Sequence, residues 1–363
     1  MTKKYVVMKI RFILFLSIVI HFNSCEEGVY TSDSKDEPFI LNSPSHFPPP
    51  VIPKDNPLTK SKVRLGRMLF YDPQLSEDGM ISCANCHKQQ FAFGDNTAMS
   101  KKVNHGSTTR NSSVLFNLVY TNNYFWDGRT GSLESTCQDA LIGEQNFNIN
   151  KVKPLLKNNA SYLTLFKKVY GNDDITEDQI VKALASFIRT LISAGTRYDK
   201  GAKEGLPEKY LTPNELIGKS IFETEEGDCF HCHGEAKGNP LFTDNEFHNN
   251  GLDNFNSYSQ FTDKGKGAVT GLQSDYGKFK TGSLRNISYS APYMHDGRQI
   301  TLDEVLNHYN TGVKNNITID PNMKKASQGG LRLPQSKLDQ LKSYLLMLND
   351  VDFIKDTSFS NPF

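Results

Sequence analysis

Residues 81–90 read ISCANCHKQQ, and residues 227–236 read GDCFHCHGEA. Each stretch holds one C-x-x-C-H arrangement: Cys83, Cys86 and His87 in the first, Cys229, Cys232 and His233 in the second. That spacing suits a c-type haem, in which two thioethers hold the porphyrin and the adjacent histidine reaches the iron as proximal ligand. A zinc site made of two C-x-x-C halves competes with this reading, but the halves stand far beyond the spacing of a ribbon or finger. A thioredoxin-like redox pair would need one motif on a βαβ unit, and neither alternative accounts for both histidines. Two covalent c-type haems are therefore the expected cofactors. His231, inside the second motif, reads as a solvated spacer.

Similarity between the two halves extends past the cysteines. RNSSVLFNLVYTNNYFWDGRTGSLES, residues 110–135, parallels RNISYSAPYMHDGRQITLDE, residues 285–304. Each has Arg-Asn, an apolar and aromatic stretch, Asp-Gly-Arg, then a hydroxyl residue followed by Leu and an acid. The chain thus reads as two copies of one haem domain. Thr301 with Glu304 forms a capping box, which predicts a helix running to Gly312, and Ser132 opens the matching helix in the first copy. Counting from Trp126 and from His295, equivalent positions on these helices are Ala140 and Tyr309. A tyrosine can ligate ferric iron as phenolate and an alanine cannot, so if this helix crosses the distal face of its haem the second haem is closed and the first open, ordinary packing being the alternative. His308 competes with Tyr309, but neighbours on a helix point about 100° apart and only one can face iron. LTKSKVRLGRMLFYD and TEDQIVKALASFIRTLISAG carry apolar residues at helical spacing, the second capped by Thr176 with Gln179 and stopped by Gly195. The fold class is mostly α.

The chain has 363 residues and a formal net charge of +1. That length accommodates two ordinary domains, and the charge balance points to neither nucleic acid nor an anionic membrane surface as partner. Lys3, Lys4, Lys9 and Arg11 precede an apolar run over residues 12–20 that is short for a membrane span and fits a secretory signal. The signal ends at HFNSC and resembles that of a bacterial lipoprotein, with Cys25 as the lipidated residue; an ordinary signal with an incidental cysteine is the alternative. Residues 1–24 are then the signal peptide and 25–57 a Pro-rich tether. The first haem domain spans 58–200, the second 201–350, and 351–363 form a tail. The mature protein is expected to be exported, either periplasmic or lipid-anchored to a bacterial membrane.

RLGRMLFYDPQLSEDGMISCANCH, RNSSVLFNL, FWDGR, ALASFIRTLISAGTRYDKG, GKSIFETEEGDCFHCH, FHNNGL, SLRNISYSAPYMHDGR and TLDEVLNHYNTG together resemble the bacterial di-haem cytochrome c peroxidase and MauG superfamily over residues 58–350. The resemblance implies two cytochrome-c-like helical domains packed against each other, with a calcium ion between them. It implies that His87 holds the peroxidatic haem and His233 the electron-transfer haem. Trp126 matches the aromatic residue that relays electrons between haems. Asn111 by its side chain, and Ser290 and Pro292 by backbone carbonyls, match the calcium ligands. Peroxidase-branch members carry methionine where Tyr309 stands, so the chain leans towards the MauG-like branch; Met294 is out of register and reads as packing.

Two positions depart from the family pattern. Thr136 stands where relatives have glutamine and Asn146 where they have the distal glutamate, a carboxylate suited to moving a proton during O–O cleavage. Glu144, two residues away, is the substitute candidate. His105 lies in the loop where peroxidase-branch members hold a histidine ligand, two residues off register. Cys137 reads as a buried thiol. The implied activity is reduction of hydrogen peroxide with electrons from a donor cytochrome or another small redox protein. A MauG-like oxidation of a protein or small molecule is the alternative, and a non-catalytic di-haem electron carrier or sensor is a third reading. A homodimer is compatible with all three.

Overall fold

A computed structural model describes residues 1–2, 36–234 and 239–363 of the protein. The signal and Cys25 lie outside the described residues.

Twelve helices are formed among the described residues: α1 (Lys60–Tyr71), α2 (Cys83–Cys86), α3 (Leu133–Gln145), α4 (Ile149–Asn158), α5 (Ala160–Tyr170), α6 (Glu177–Arg189), α7 (Arg197–Lys203), α8 (Pro213–Phe222), α9 (Phe230–His233), α10 (Gly267–Thr270), α11 (Leu302–Asn307) and α12 (Gln335–Leu346). One short antiparallel pair, β1 (Phe247–His248) and β2 (Phe279–Lys280), is the described sheet. The apolar residues fall into two clusters. The first gathers residues between Leu65 and Leu191, the second residues between Tyr198 and Leu348.

Each cluster is organised by one close helix crossing. In the first, α1 lies against α6, where Ile180, Ala183, Leu184 and Phe187 are buried. Gly66 makes this approach possible, since a Cβ there would stand 1.9 Å from the Ala183 carbonyl oxygen. In the second, α8 lies against α12, and a Cβ on Gly218 would stand 2.1 Å from the Gln340 carbonyl oxygen. Leu65-Gly66-Arg67 and Ile217-Gly218-Lys219, followed by Leu69-Phe70 and Ile221-Phe222, repeat the same apolar-Gly-basic pattern. The repeat becomes evident only once the two helix pairs are seen.

The predicted caps form. Thr176 Oγ1 accepts from the Gln179 amide, whose side chain in turn accepts from the Thr176 amide. That helix, however, ends at Arg189 rather than near Gly195. Thr190 turns its hydroxyl back to the Phe187 carbonyl, and the Ser193 amide is taken by Asn117 Oδ1, so the backbone leaves the helix for side-chain partners.

Two segments differ from the compositional expectation. The Pro-rich stretch is not a free tether over residues 36–57: Phe47 and Asn56 are buried, and Asn56 donates to Glu134 Oε1 and the Lys182 carbonyl. A proline-rich strap needs no core of its own when single residues plug into another. The predicted tail is also packed. Phe353 is buried with ring centroids 5.7 Å from Phe93 and 6.0 Å from Phe116, and Tyr71 donates to the Phe359 carbonyl. The chain's last residues thereby complete the first cluster.

A buried ion pair links these parts. Arg285 donates to Asp199 Oδ1 and Oδ2 at 2.6 and 2.8 Å, with both side chains fully buried. Asp199 also accepts from Thr196 and contacts His46 Nε2 at 2.8 Å, and Arg285 donates to the Pro240 carbonyl. Burial alone would push the Asp199 carboxyl up, but the Arg285 charge and these hydrogen bonds outweigh it and hold the carboxyl well below the usual range. Because the folded value is depressed, the stabilisation is full above the unfolded carboxylate value of about 3.9 and is lost as pH falls through the folded value. Asp199→Ala leaves Arg285 buried without its counter-charge, and about 3–5 kcal/mol of stability should be lost in denaturant unfolding at neutral pH.

Candidate active site

A cavity of about 780 Å³ is lined from both halves of the chain, and Cys83, Cys86, His87, Cys229, Cys232 and His233 all face it. The two motifs sit on the short helices α2 and α9. Ser82 and Asn85 bond reciprocally at the start of α2. Beyond each motif the chain folds back so that a phenylalanine carbonyl meets the histidine: His87 Nδ1 lies 3.0 Å from the Phe93 oxygen, and His233 Nδ1 3.1 Å from the Phe242 oxygen. Both phenylalanines have left-handed backbones, with φ of 59° and 52°. A carbonyl only accepts, so each Nδ1 carries the proton and each Nε2 keeps its lone pair. Burial, partly opposed by these bonds, holds both imidazoles below their ordinary pKa and hence neutral. Burial also pushes the Cys83, Cys229 and Cys232 thiols up to about 12, and the four motif cysteines are not in disulfides. Neutral imidazoles with oriented lone pairs beside paired free thiols are what covalent haem attachment requires.

The helices that follow Asp-Gly-Arg in the two halves line the cavity differently. On the first side, α3 presents Thr136, Cys137, Ala140, Leu141, Glu144 and Gln145 to the cavity. Thr136 Oγ1 is held by the Ser132 carbonyl and the Thr130 hydroxyl. Asn146 caps α3 in a left-handed conformation, donates to Glu77 Oε2, and does not line the cavity. Glu144 does line it: its Oε2 is buried without a hydrogen bond, 3.6 Å from Lys102 Nζ. Gln145, unnoticed in the sequence, is also buried, with Nε2 3.6 Å from Cys83 Sγ and Oε1 unpartnered. The spacing of Cys137, Leu141 and Gln145 would have placed it on the inner face. Cys137 is buried as expected, and burial pushes its thiol up. His105 is exposed and does not line the cavity; Asn104 and His105 both take φ near 60°, which carries the loop outward.

On the second side, the predicted helix to Gly312 gives way after Asn307 to a π turn over His308–Gly312. Tyr309 lines the cavity and His308 does not. The Tyr309 hydroxyl accepts from Asn250 Nδ2 at 3.1 Å, whereas His308 Nε2 lies 3.0 Å from the Asn250 carbonyl. Burial pushes the Tyr309 phenol up to about 12, against the lowering effect of Asn250. Met294 also reaches the cavity, its sulfur 3.4 Å from Asn250 Nδ2.

Between the two sides, Trp126 Nε1 donates to the Asn111 carbonyl at 2.8 Å. Asn111 is fixed in turn: its backbone amide donates to the His295 carbonyl, and its side-chain amide to the Thr97 and Ala98 carbonyls. Its Oδ1 and the carbonyls of Ser290 and Pro292 accept no hydrogen bond from the described residues, and all three residues line the cavity. Oxygen atoms left in this condition suit a hard cation. Two charged groups escaped the sequence reading. Lys280 is half-buried on the cavity wall, bonded among the described residues to the neutral Thr121 Oγ1 and Asn123 carbonyl, and burial pulls its ammonium down to about 8. His248 lies between Asp244 and Asp320, at 2.9 and 2.6 Å, and their bonds raise it to about 9. Lys280, with no carboxylate bonded to it among the described residues, suits a carboxylate that a haem carries, whereas the charge of His248 is met by its two aspartates. A lone lysine and a lone histidine in an aperiodic stretch gave no sequence signal.

Comparison with known proteins bears on the same residues. A family model described as di-haem cytochrome c peroxidase matches residues 60–205. The cytochrome-c peroxidase IdrP1 of Denitromonas iodatirespirans is 33% identical over 293 residues, covering 73% of this chain and 77% of that protein. The methylamine utilization protein MauG of Methylorubrum extorquens is 34% identical over 277 residues, 75% of each chain. The chain belongs to the di-haem cytochrome c peroxidase family. A solved MauG-like protein associated with microbial copper homeostasis superposes with a TM-score of 0.80 at 28% identity, over 89% of this chain and 99% of that one. The fold is thus the mostly helical, cytochrome-c-like one of this family, the cofactors are two c-type haems, and the protein is an oxidoreductase of the cytochrome-c peroxidase type. Cys83, Cys86 and His87, and Cys229, Cys232 and His233, are the residues that fit the two haems. Cys229→Ala with Cys232→Ala should leave one covalent haem per chain in place of two, counted by the pyridine haemochrome assay.

Proposed function

We propose that the protein, exported from a bacterial cell, reduces hydrogen peroxide at the haem held by His87. Electrons come from a reduced donor cytochrome or another small redox protein through the haem held by His233. The observation that carries this reading is the contrast between the two cavity walls. Both walls line one cavity: α3 contributes the small Ala140 and the Glu144 carboxylate, while the matching stretch of the second half contributes Tyr309. When bound, the first haem supplies the redox chemistry that splits the O–O bond, consuming two electrons and two protons per peroxide and releasing two waters.

In this reading Glu144 moves a proton between the peroxide oxygens, and its unpartnered buried Oε2 is the acceptor position. Trp126, fixed by its bond to Asn111, relays electrons. Tyr309 would ligate the iron of the second haem, and ferric iron is the charge that would stabilise its phenolate at so buried a position. Asn111 Oδ1 with the Ser290 and Pro292 carbonyls would hold a calcium ion, with water completing the coordination. The haem domains correspond to residues 58–200 and 201–350. No described helix is long and apolar enough to cross a membrane, and a lipid on Cys25 would supply the anchor.

Tyr309 also favours a second reading, the oxidation of a protein or small molecule in the manner of the MauG-like branch. Peroxide turnover with a reduced cytochrome separates the two: rapid donor oxidation supports the peroxidase, and a peroxide-dependent haem spectrum without donor turnover supports the other. No peroxide-dependent change of any kind would leave an electron carrier. Glu144→Gln should lower the peroxide-dependent rate by about 10²- to 10⁴-fold while both haems remain attached. In electron paramagnetic resonance, Tyr309→Phe should change the signal of one haem and leave the other as it was; an unchanged spectrum refutes ligation.

A further inference from the structure

On the turn that carries the second haem motif, Glu225, Asp228 and His231, of which Asp228 also lines the cavity, each offer one ligand atom, and these atoms all lie within 4.8 Å of one another. We propose that these three side chains form a binding site for a divalent first-row transition-metal ion such as Zn²⁺, separate from the haem and calcium positions.

The spacing fits a coordination polyhedron. His231 Nε2 lies 3.1 Å from Asp228 Oδ1 and 3.3 Å from Glu225 Oε1. Metal bonds of about 2.0–2.2 Å to nitrogen and oxygen set neighbouring ligand atoms about 3.0–3.5 Å apart, depending on coordination number. One imidazole with two carboxylates is also a donor set that such ions accept.

A second observation comes from Asp228 itself. Its side chain is only 9% exposed, and Oδ1 is buried without a hydrogen bond from any described residue. An unpaired carboxylate oxygen in that position is costly unless a cation meets it. His231 does not meet the need as the site stands. Lys324 Nζ lies 2.7 Å from Glu225 Oε2 and 3.1 Å from His231 Nε2. A lysine ammonium can only donate, so an Nε2 that accepts from Lys324 has its one lone pair engaged there and no proton to give Asp228. A metal ion in place of the Lys324 ammonium would take that lone pair and meet Oδ1 as well.

The framework is fixed and the competing cation is mobile. Asp228 has φ of 59° and directly precedes Cys229, and its amide is bonded to the Thr224 carbonyl. Lys325 Nζ binds the Glu225 carbonyl from behind. Lys324 is about half exposed, so it can swing into solvent when a metal arrives. Lys324 then acts as a tethered competitor that lowers affinity without contributing a ligand.

Metal binding at this turn is independent of which peroxide chemistry the haems perform. It is tested by titrating Zn²⁺ into untagged holoprotein under isothermal calorimetry, with calcium in excess. Wild type should bind one Zn²⁺ that His231→Asn lacks, and Glu225→Gln, a change at an exposed position, should weaken that binding on the order of tenfold or more. Lys324→Met should bind Zn²⁺ more tightly than wild type. A count of two haems per chain checks that each variant is folded, and Glu225→Gln decides the matter if His231→Asn loses haem. Equal zinc binding by wild type and Glu225→Gln, absence of binding in wild type, or weaker binding by Lys324→Met overturns the proposal.

Discussion

The fully buried pair of Asp199 and Arg285 is the constraint on which much else in the chain depends. Two charges withdrawn from water are tolerable only when every lone pair and proton finds a partner. Meeting that demand gathers Thr196 at the head of α7, His46 from the Pro-rich strap and the Pro240 carbonyl around one point. The guanidinium also stacks on Phe47 and Phe242, 4.8 and 5.5 Å from their ring centres. Phe242 is the residue whose carbonyl orients His233. A charge pair outside the cavity thereby reaches the histidine of the second C-x-x-C-H motif through a single aromatic residue.

The two halves use the same parts for different ends. A glycine seats one helix on another, a short helix presents C-x-x-C-H, and a left-handed phenylalanine turns its carbonyl to the histidine. Up to that point the copies are interchangeable. They part at the helix that follows Asp-Gly-Arg: α3 continues as a regular helix past Ala140, whereas α11 ends early and delivers Tyr309 from a π turn.

This arrangement explains which features are legible in the sequence. C-x-x-C-H and the capping boxes at Thr176 and Thr301 rest on local chemistry, which the order of residues contains, whereas the preference for Tyr309 over His308 came from the family resemblance. Glu144 was within reach as a substitute, but ungapped counting favoured Asn146, and only the left-handed cap at Asn146 shows where α3 stops. Lys280 and His248 owe their importance to what surrounds them in space, and nothing adjacent in the chain announces it. The strap over residues 36–57 misleads for a related reason. Its composition is that of a linker, and its fixation comes from Phe47 and Asn56, which dock on residues far along the chain.

The π turn at Tyr309 has a bearing on how such a site could diverge. A π turn holds one more residue than the α-helical turn it replaces, so it corresponds to a one-residue insertion in an ancestral helix. Deleting a residue within His308–Gly312 would restore α geometry and rotate the downstream residues by about 100°. A different side chain would then face the cavity without any codon having been substituted. At this position, length polymorphism is as direct a route to a new cavity-lining residue as point mutation.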